Sequence, residues 1–128
     1  MSPAEAAAVD EKRIAAFFDS PTGRRAVAAS HSLKRESNFT LAMDFNGCPI
    51  LVQGTIDCCF MENGHWILVD YKSNFVDPDR REKAIEHLKE NYMPQLALYR
   101  RALEEITGIP VSEGILYLFG IDEELRLI

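Results

Sequence analysis

The chain has 128 residues, enough for one domain around one core, and its 47% hydrophobic and 27% charged residues are the composition of a globular protein rather than a disordered or membrane-embedded one. Fourteen Lys and Arg against twenty Asp and Glu leave a formal net charge of -6, which excludes a protein that grips nucleic acid by bulk charge alone but not an enzyme that handles phosphates through a metal. No apolar run approaches the ~20 residues of a membrane helix, and the start MSPAEAAAVDEKR is acidic where a signal peptide is basic, so a cytoplasmic protein without membrane contact is expected.

In chain order, Ser2, Pro3 and Glu5 have the N-cap, first-turn proline and capping-box pattern of a helix start, and predict a helix to about Phe17 or Phe18. Asp19-Ser20-Pro21 repeats the punctuation and begins a short second helix through Val27. Leu33 to Phe45, Ile50 to Phe60 and His65 to Ser73 then read as strands. Asn46-Gly47 and Asn63-Gly64 separate them, the two-residue turns whose central positions both take positive φ, so the three strands form an antiparallel meander. Cys48, Cys58 and Cys59 fit neither a disulfide framework nor the spacing of a zinc or iron–sulfur site and are expected to be buried free thiols. After a polar loop from Asn74 to Asp79, a helical pattern runs from about Arg80 to Thr107 with Gly108 as its stop, and Pro94 is expected to kink or split it near Tyr92. Gly114 to Phe119 reads as a further strand and Leu125 to Ile128 as a last one.

The second turn has a chemical consequence. If Glu62 faces His65 across it, Asp57 faces Asp70 with both side chains on one face of the sheet. Two carboxylates about 5 Å apart repel by about 3 kcal/mol at an effective dielectric near 20, a large share of a small domain's stability. Lys72 lies two residues beyond Asp70 and shares that face, and the Tyr71 carbonyl between them is a further oxygen donor. Hard cations such as Mg²⁺ or Mn²⁺ favour this oxygen set. The plainer reading is a turn-forming Asp57 beside a surface ion pair of Asp70 and Lys72. Against it stand the continuously apolar Ile67, Leu68 and Val69, which lead up to Asp70 as in a strand buried on both faces, and Gly54, which lets a backbone or a ligand approach.

On the long helix, Gln95 and Tyr99 are one turn apart on one face, with Leu96, Leu103 and Ile106 as expected core contacts. Arg100 and Arg101, near Glu104 and Glu105, read as exposed positions. His31, His65 and His87 read as solvated, and Trp66, on the Asp70 face by alternation, as a core aromatic.

Gly54-Thr-Ile-Asp57, Val69-Asp70-Tyr71-Lys72 and Tyr92-Met-Pro-Gln95-Leu-Ala-Leu-Tyr99-Arg100 resemble, in order and spacing, the RecB and AddA type of nuclease domain in the PD-(D/E)XK superfamily. Arg35-Glu36-Ser-Asn-Phe39 is similar to the Arg-Glu-x-x-Phe strand that precedes them there, and the resemblance covers about Lys12 to Phe119. It implies an α/β, restriction-endonuclease-like fold: a mixed sheet on an antiparallel meander core, flanked by helices. It also implies Asp57, Asp70 and the Tyr71 backbone carbonyl as metal ligands, Lys72 as the group that positions or activates the attacking water, and Gln95 and Tyr99 as residues that place DNA. Glu36 matches a strand residue of lesser role.

The family's first motif, a His or Glu on an upstream helix, has no match before Ser30, so residues 1–128 are expected to be a single nuclease-type domain without that helix. The resemblance thus implies a Mg²⁺- or Mn²⁺-dependent deoxyribonuclease of exonuclease type, working on DNA beside a helicase domain or subunit in DNA repair and recombination. The alternative is a catalytically inactive, nuclease-derived DNA-binding or scaffold domain. A retaining glycosidase would suit the carboxylate spacing but leaves Lys72, Gln95 and Tyr99 without roles.

Overall fold

The computed structural model describes residues 14–73, 76–119, 121 and 123–128. The Ser2, Pro3 and Glu5 start of the first helix lies outside them. Helical backbone over residues 14–19 (α1) stops at Ser20, whose side chain accepts the Gly23 N–H at 3.1 Å and caps α2, Pro21–Ala28. The meander follows as β1 (Lys34–Phe45), β2 (Cys48–Glu62) and β3 (His65–Lys72), and Asn46, Gly47, Asn63 and Gly64 all take the positive φ that the two turns require. A 3₁₀ turn at Pro78–Arg80 leads into α3, Arg81–Thr107, which ends at Gly108 in the left-handed region. The strands β4 (Val111–Leu118) and β5 (Glu123–Arg126) complete the described chain.

The sheet runs β1-β2-β3-β4-β5, antiparallel except between β3 and β4. A parallel pair cannot be closed by a tight turn, and α3 supplies the crossover. Trp66 and Leu68 pack on the α3 side with Leu96, Ala102 and Leu103, while Ile67 and Val69 pack on the other side with Phe17 and Ala26. The central strand β3 is thus buried on both faces, as its unbroken apolar run predicts. The result is the mixed sheet on an antiparallel meander, flanked by helices, that the resemblance implies.

Three expectations are corrected. Of the kink or split expected at Pro94, the split does not occur, and α3 is one helix from Arg81 to Thr107. The helix runs through Pro94 because Tyr92, Leu96, Tyr99 and Leu103, on both sides of the proline, pack on the same core and offset the one lost backbone hydrogen bond. Ile106 is 53% exposed and faces away from the core. Cys48 is also exposed, because β2 starts at the tip of the hairpin beyond the cover of either helical layer; Cys58 and Cys59 are buried.

A feature that alternation does not foretell lies at Glu36. Its φ is 49°, outside any strand region, and it falls opposite Asp57 at the one unpaired rung of an otherwise unshifted β1–β2 ladder. The strands change face there. Ile56, with Phe39 across the sheet, packs toward α3, whereas Cys58 and Phe60, at the same parity as Ile56, pack toward α1 and α2. Likewise Lys34 lies over the Trp66 ring and Arg35 over the Phe18 ring, on opposite sides of the sheet.

Candidate metal centre

The β2–β3 ladder runs from Glu62 opposite His65 to Cys58 opposite Val69, the register that the Asn63-Gly64 turn predicts, and opens at the next pair, Asp57 and Asp70. In place of a ladder bond, Asp57 Oδ2 accepts the Tyr71 N–H at 2.9 Å. The N–H and C=O of a strand residue point to the same neighbour, so the Tyr71 carbonyl also faces the side where the ladder has ended. Phe119 N–H donates to the Lys72 carbonyl at 2.9 Å, on the opposite side, as alternation requires.

Asp70 is only 3% exposed. Burial of Asp57, and then the hydrogen bond it shares with Asp70, push its carboxyl up from the ordinary 3.8 to about 6, against the Tyr71 N–H and the Lys72 charge that pull it down. Lys72 Nζ is 2.9 Å from Asp70 Oδ2, yet that oxygen accepts no directed hydrogen bond; the contact is an ion pair alone.

Lys72 is held from the helix as well. Its Nζ donates to Gln95 Oε1 at 3.0 Å and lies 4.1 Å from the centre of the Tyr92 ring. Gln95 Nε2 donates to the Tyr99 hydroxyl at 3.2 Å, and the Tyr99 ring meets Phe39 edge-on at 5.5 Å. Tyr92, Gln95 and Tyr99 fall at i, i+3 and i+7, one stripe of α3 over the sheet. A Cβ on Gly54 would lie 2.8 Å from the Phe39 ring and 3.2 Å from that of Tyr99. The close approach that Gly54 permits is therefore by two aromatic rings, not by a backbone or a ligand. Tyr92 is the neighbour that sequence reasoning passed over as a site residue, although its spacing of three from Gln95 puts it on the same face.

The predicted residues Asp57, Asp70, Tyr71, Lys72, Gln95 and Tyr99 are thus brought together at one place between β2, β3 and α3. Among the described residues, no cluster of three or more His, Cys, Asp or Glu side chains could hold a metal ion. Two carboxylates facing each other, an under-satisfied buried oxygen on Asp70 and the Tyr71 carbonyl on the side where the ladder has ended form a hard-oxygen set of the size Mg²⁺ or Mn²⁺ uses when water and phosphate complete its shell. The residues fit such an ion.

His31, His65 and His87 are exposed, and Trp66 is a core residue whose Nε1 donates to Thr107 Oγ1 at 3.0 Å. The Cys58 and Cys59 thiols are pushed up to about 11 by burial and are protonated at neutral pH. Arg100 and Arg101 pair with Glu104 and Glu105 on the outer face of α3.

A sequence profile of the PD-(D/E)XK nuclease superfamily matches residues 3–126. Similar curated proteins include an ATP-dependent helicase/nuclease subunit from Acetivibrio thermocellus, 37% identical over 93% of this chain and 10% of that protein. The protein of the same name in Pelotomaculum thermopropionicum is 40% identical over 98% of this chain and 10% of that protein. The chain spans about a tenth of the length of these relatives. Among solved structures, the crystal structure of SSO0001 superposes with a TM-score of 0.51 over 92% of this chain and 57% of that one, at 18% identity, a likeness of fold.

Proposed function

The chain belongs to the PD-(D/E)XK nuclease superfamily, and on that premise we propose that it is a Mg²⁺- or Mn²⁺-dependent deoxyribonuclease domain of exonuclease type. The observation that carries the proposal is the facing pair of Asp57 and Asp70 with the Lys72 ammonium 2.9 Å from one of its oxygens. Asp57, Asp70 and the Tyr71 carbonyl would hold the ion. When bound, a divalent cation supplies Lewis acidity at the scissile phosphate. Lys72 places a fixed positive charge beside the phosphorus, where negative charge builds up during hydrolysis, and orients the attacking water. Gln95, oriented by the Tyr99 hydroxyl, holds Lys72, and both residues line the path of the DNA strand. The names of the relatives, helicase/nuclease subunits, support a setting beside a helicase; a place in DNA repair or recombination in the cytoplasm belongs to the same proposal and rests on the family resemblance. No helix among the described residues is long and apolar enough to cross a membrane.

Titration calorimetry with Mn²⁺ on the parent chain and on Asp70→Asn tests the site, paired with cleavage of end-labelled DNA. Saturable heat in the parent and none in Asp70→Asn is expected, and equal heats in both overturn the metal site. Lys72→Ala is expected to keep the fold and a saturable metal site while losing cleavage, since its ammonium acts on phosphate and is not a ligand of the ion. Metal binding without any cleavage, in the parent as in the variant, favours the inactive DNA-binding or scaffold reading.

A further inference from the structure

We propose that Tyr92 is a positioning residue for the Lys72 ammonium, an inference that rests on the nuclease reading above. A lysine side chain has three donors on a flexible four-carbon stem and, left to itself, samples many rotamers. Here the ammonium is enclosed from three directions: Asp70 Oδ2 at 2.9 Å, Gln95 Oε1 at 3.0 Å, and the face of the Tyr92 ring at 4.1 Å. The Lys72 side chain is 17% exposed, so the attraction between cation and ring is little weakened by water.

The three contacts differ in what disturbs them. Asp70 is the acidic member, and whatever cation it engages draws on the same carboxyl oxygens that hold the ammonium. The Gln95 amide and the Tyr92 ring are neutral, and a cation at Asp70 leaves both in place. Gln95 is itself oriented by the Tyr99 hydroxyl, whereas the ring acts on the ammonium directly. Both come from α3, three residues apart, so the helix holds Lys72 as well as the sheet does.

The decisive reading is made on the metal-free 128-residue chain. Proton NMR of the lysine ε-methylenes, with Lys72 assigned by its loss in Lys72→Arg, is expected to show Lys72 displaced upfield of the other lysines by the ring current of Tyr92. Tyr92→Leu returns that signal to the common position, and Tyr92→Phe, which keeps the ring, restores it. In Mn²⁺-dependent cleavage Tyr92→Leu lowers kcat about tenfold with KM for DNA unchanged, and Tyr92→Phe rescues it. A Lys72 signal at the common position in the parent chain, or Leu and Phe variants alike in signal and in kcat, overturns the proposal. Should Tyr92→Leu fail to fold, the parent spectrum and Tyr92→Met decide in its place. A parent chain that cleaves nothing defeats the nuclease reading, while the spectra still decide whether the ring holds the ammonium.

Discussion

At Asp57 two opposing influences meet, and their balance lies at about 6. The carboxyl of the unfolded chain ionises near 3.8, so between about pH 4 and pH 6 the folded protein keeps a proton that the unfolded chain has released. The stability this group contributes is complete below pH 4 and is lost as pH rises through 6. Allowing for solvent around a half-buried carboxyl, the loss is on the order of 1 to 2 kcal/mol. Urea denaturation from pH 4 to pH 7 is expected to show that decline in the metal-free parent and its absence in Asp57→Asn. The same proton competes with a metal, so Mn²⁺ affinity should climb through pH 5 to 6 and level off above; an affinity flat with pH would remove Asp57 from the ligand set. The pairing of Asp57 with Asp70 was legible because one Asn-Gly turn sets the register of every rung beyond it, and Lys72 followed from the strand period of two. The contact between Lys72 and Tyr92 was not, because it depends on where a flexible side chain on β3 ends against a helix twenty residues away in sequence.

At the scale of elements, Glu36 does what no periodicity announces. The even positions of β2 from Ile50 to Phe60 read as one apolar face, and in the fold that face passes from the α3 layer to the α1 and α2 layer between Ile56 and Cys58. The reversal brings Ile56 and Asp57, neighbours in sequence, to the same side of the sheet, one packed in the core and the other turned to Asp70. Glu36 takes a positive φ, which costs an ordinary L-residue about 1–2 kcal/mol and is easier for glycine. Glu36→Val, whose branched Cβ fits that region worst, is therefore expected to destabilise the domain by about 1–2 kcal/mol, and Glu36→Gly to stay within about 0.5 kcal/mol of the parent. Thermal unfolding of the two variants checks this, and a valine variant as stable as the glycine one would show that β1 runs straight. Pro94 teaches the converse. Its local rule is strong, but the packed stripe on either side of it is stronger, and only the tertiary partners of Tyr92, Leu96 and Tyr99 reveal which prevails.

At the scale of the whole molecule, charge and ligand count act together. The protein offers an ion two carboxylates and a carbonyl, with no third acidic or His side chain clustered among the described residues, and divalent-cation affinity falls as the charged ligands become fewer. The net charge of -6 adds little positive potential to hold DNA beside that ion, and phosphate contacts supply most of the affinity of proteins for DNA. On the proposed nuclease reading, both favour a domain that takes its grip on DNA from a larger assembly; the chain spans about a tenth of the length of its relatives. The 128-residue chain alone is therefore expected to bind Mn²⁺ weakly and to nick DNA slowly. On the proposed nuclease reading, fusing upstream a helix that bears the His or Glu of the family's first motif should raise metal affinity and cleavage together. Asp57→Ala in the fusion should abolish both gains, because the added ligand completes a shell that Asp57 begins. Fast cleavage by the unfused chain would mean that another side chain already fills the third position, and the loss of that activity in Glu36→Gln or His31→Ala would identify it.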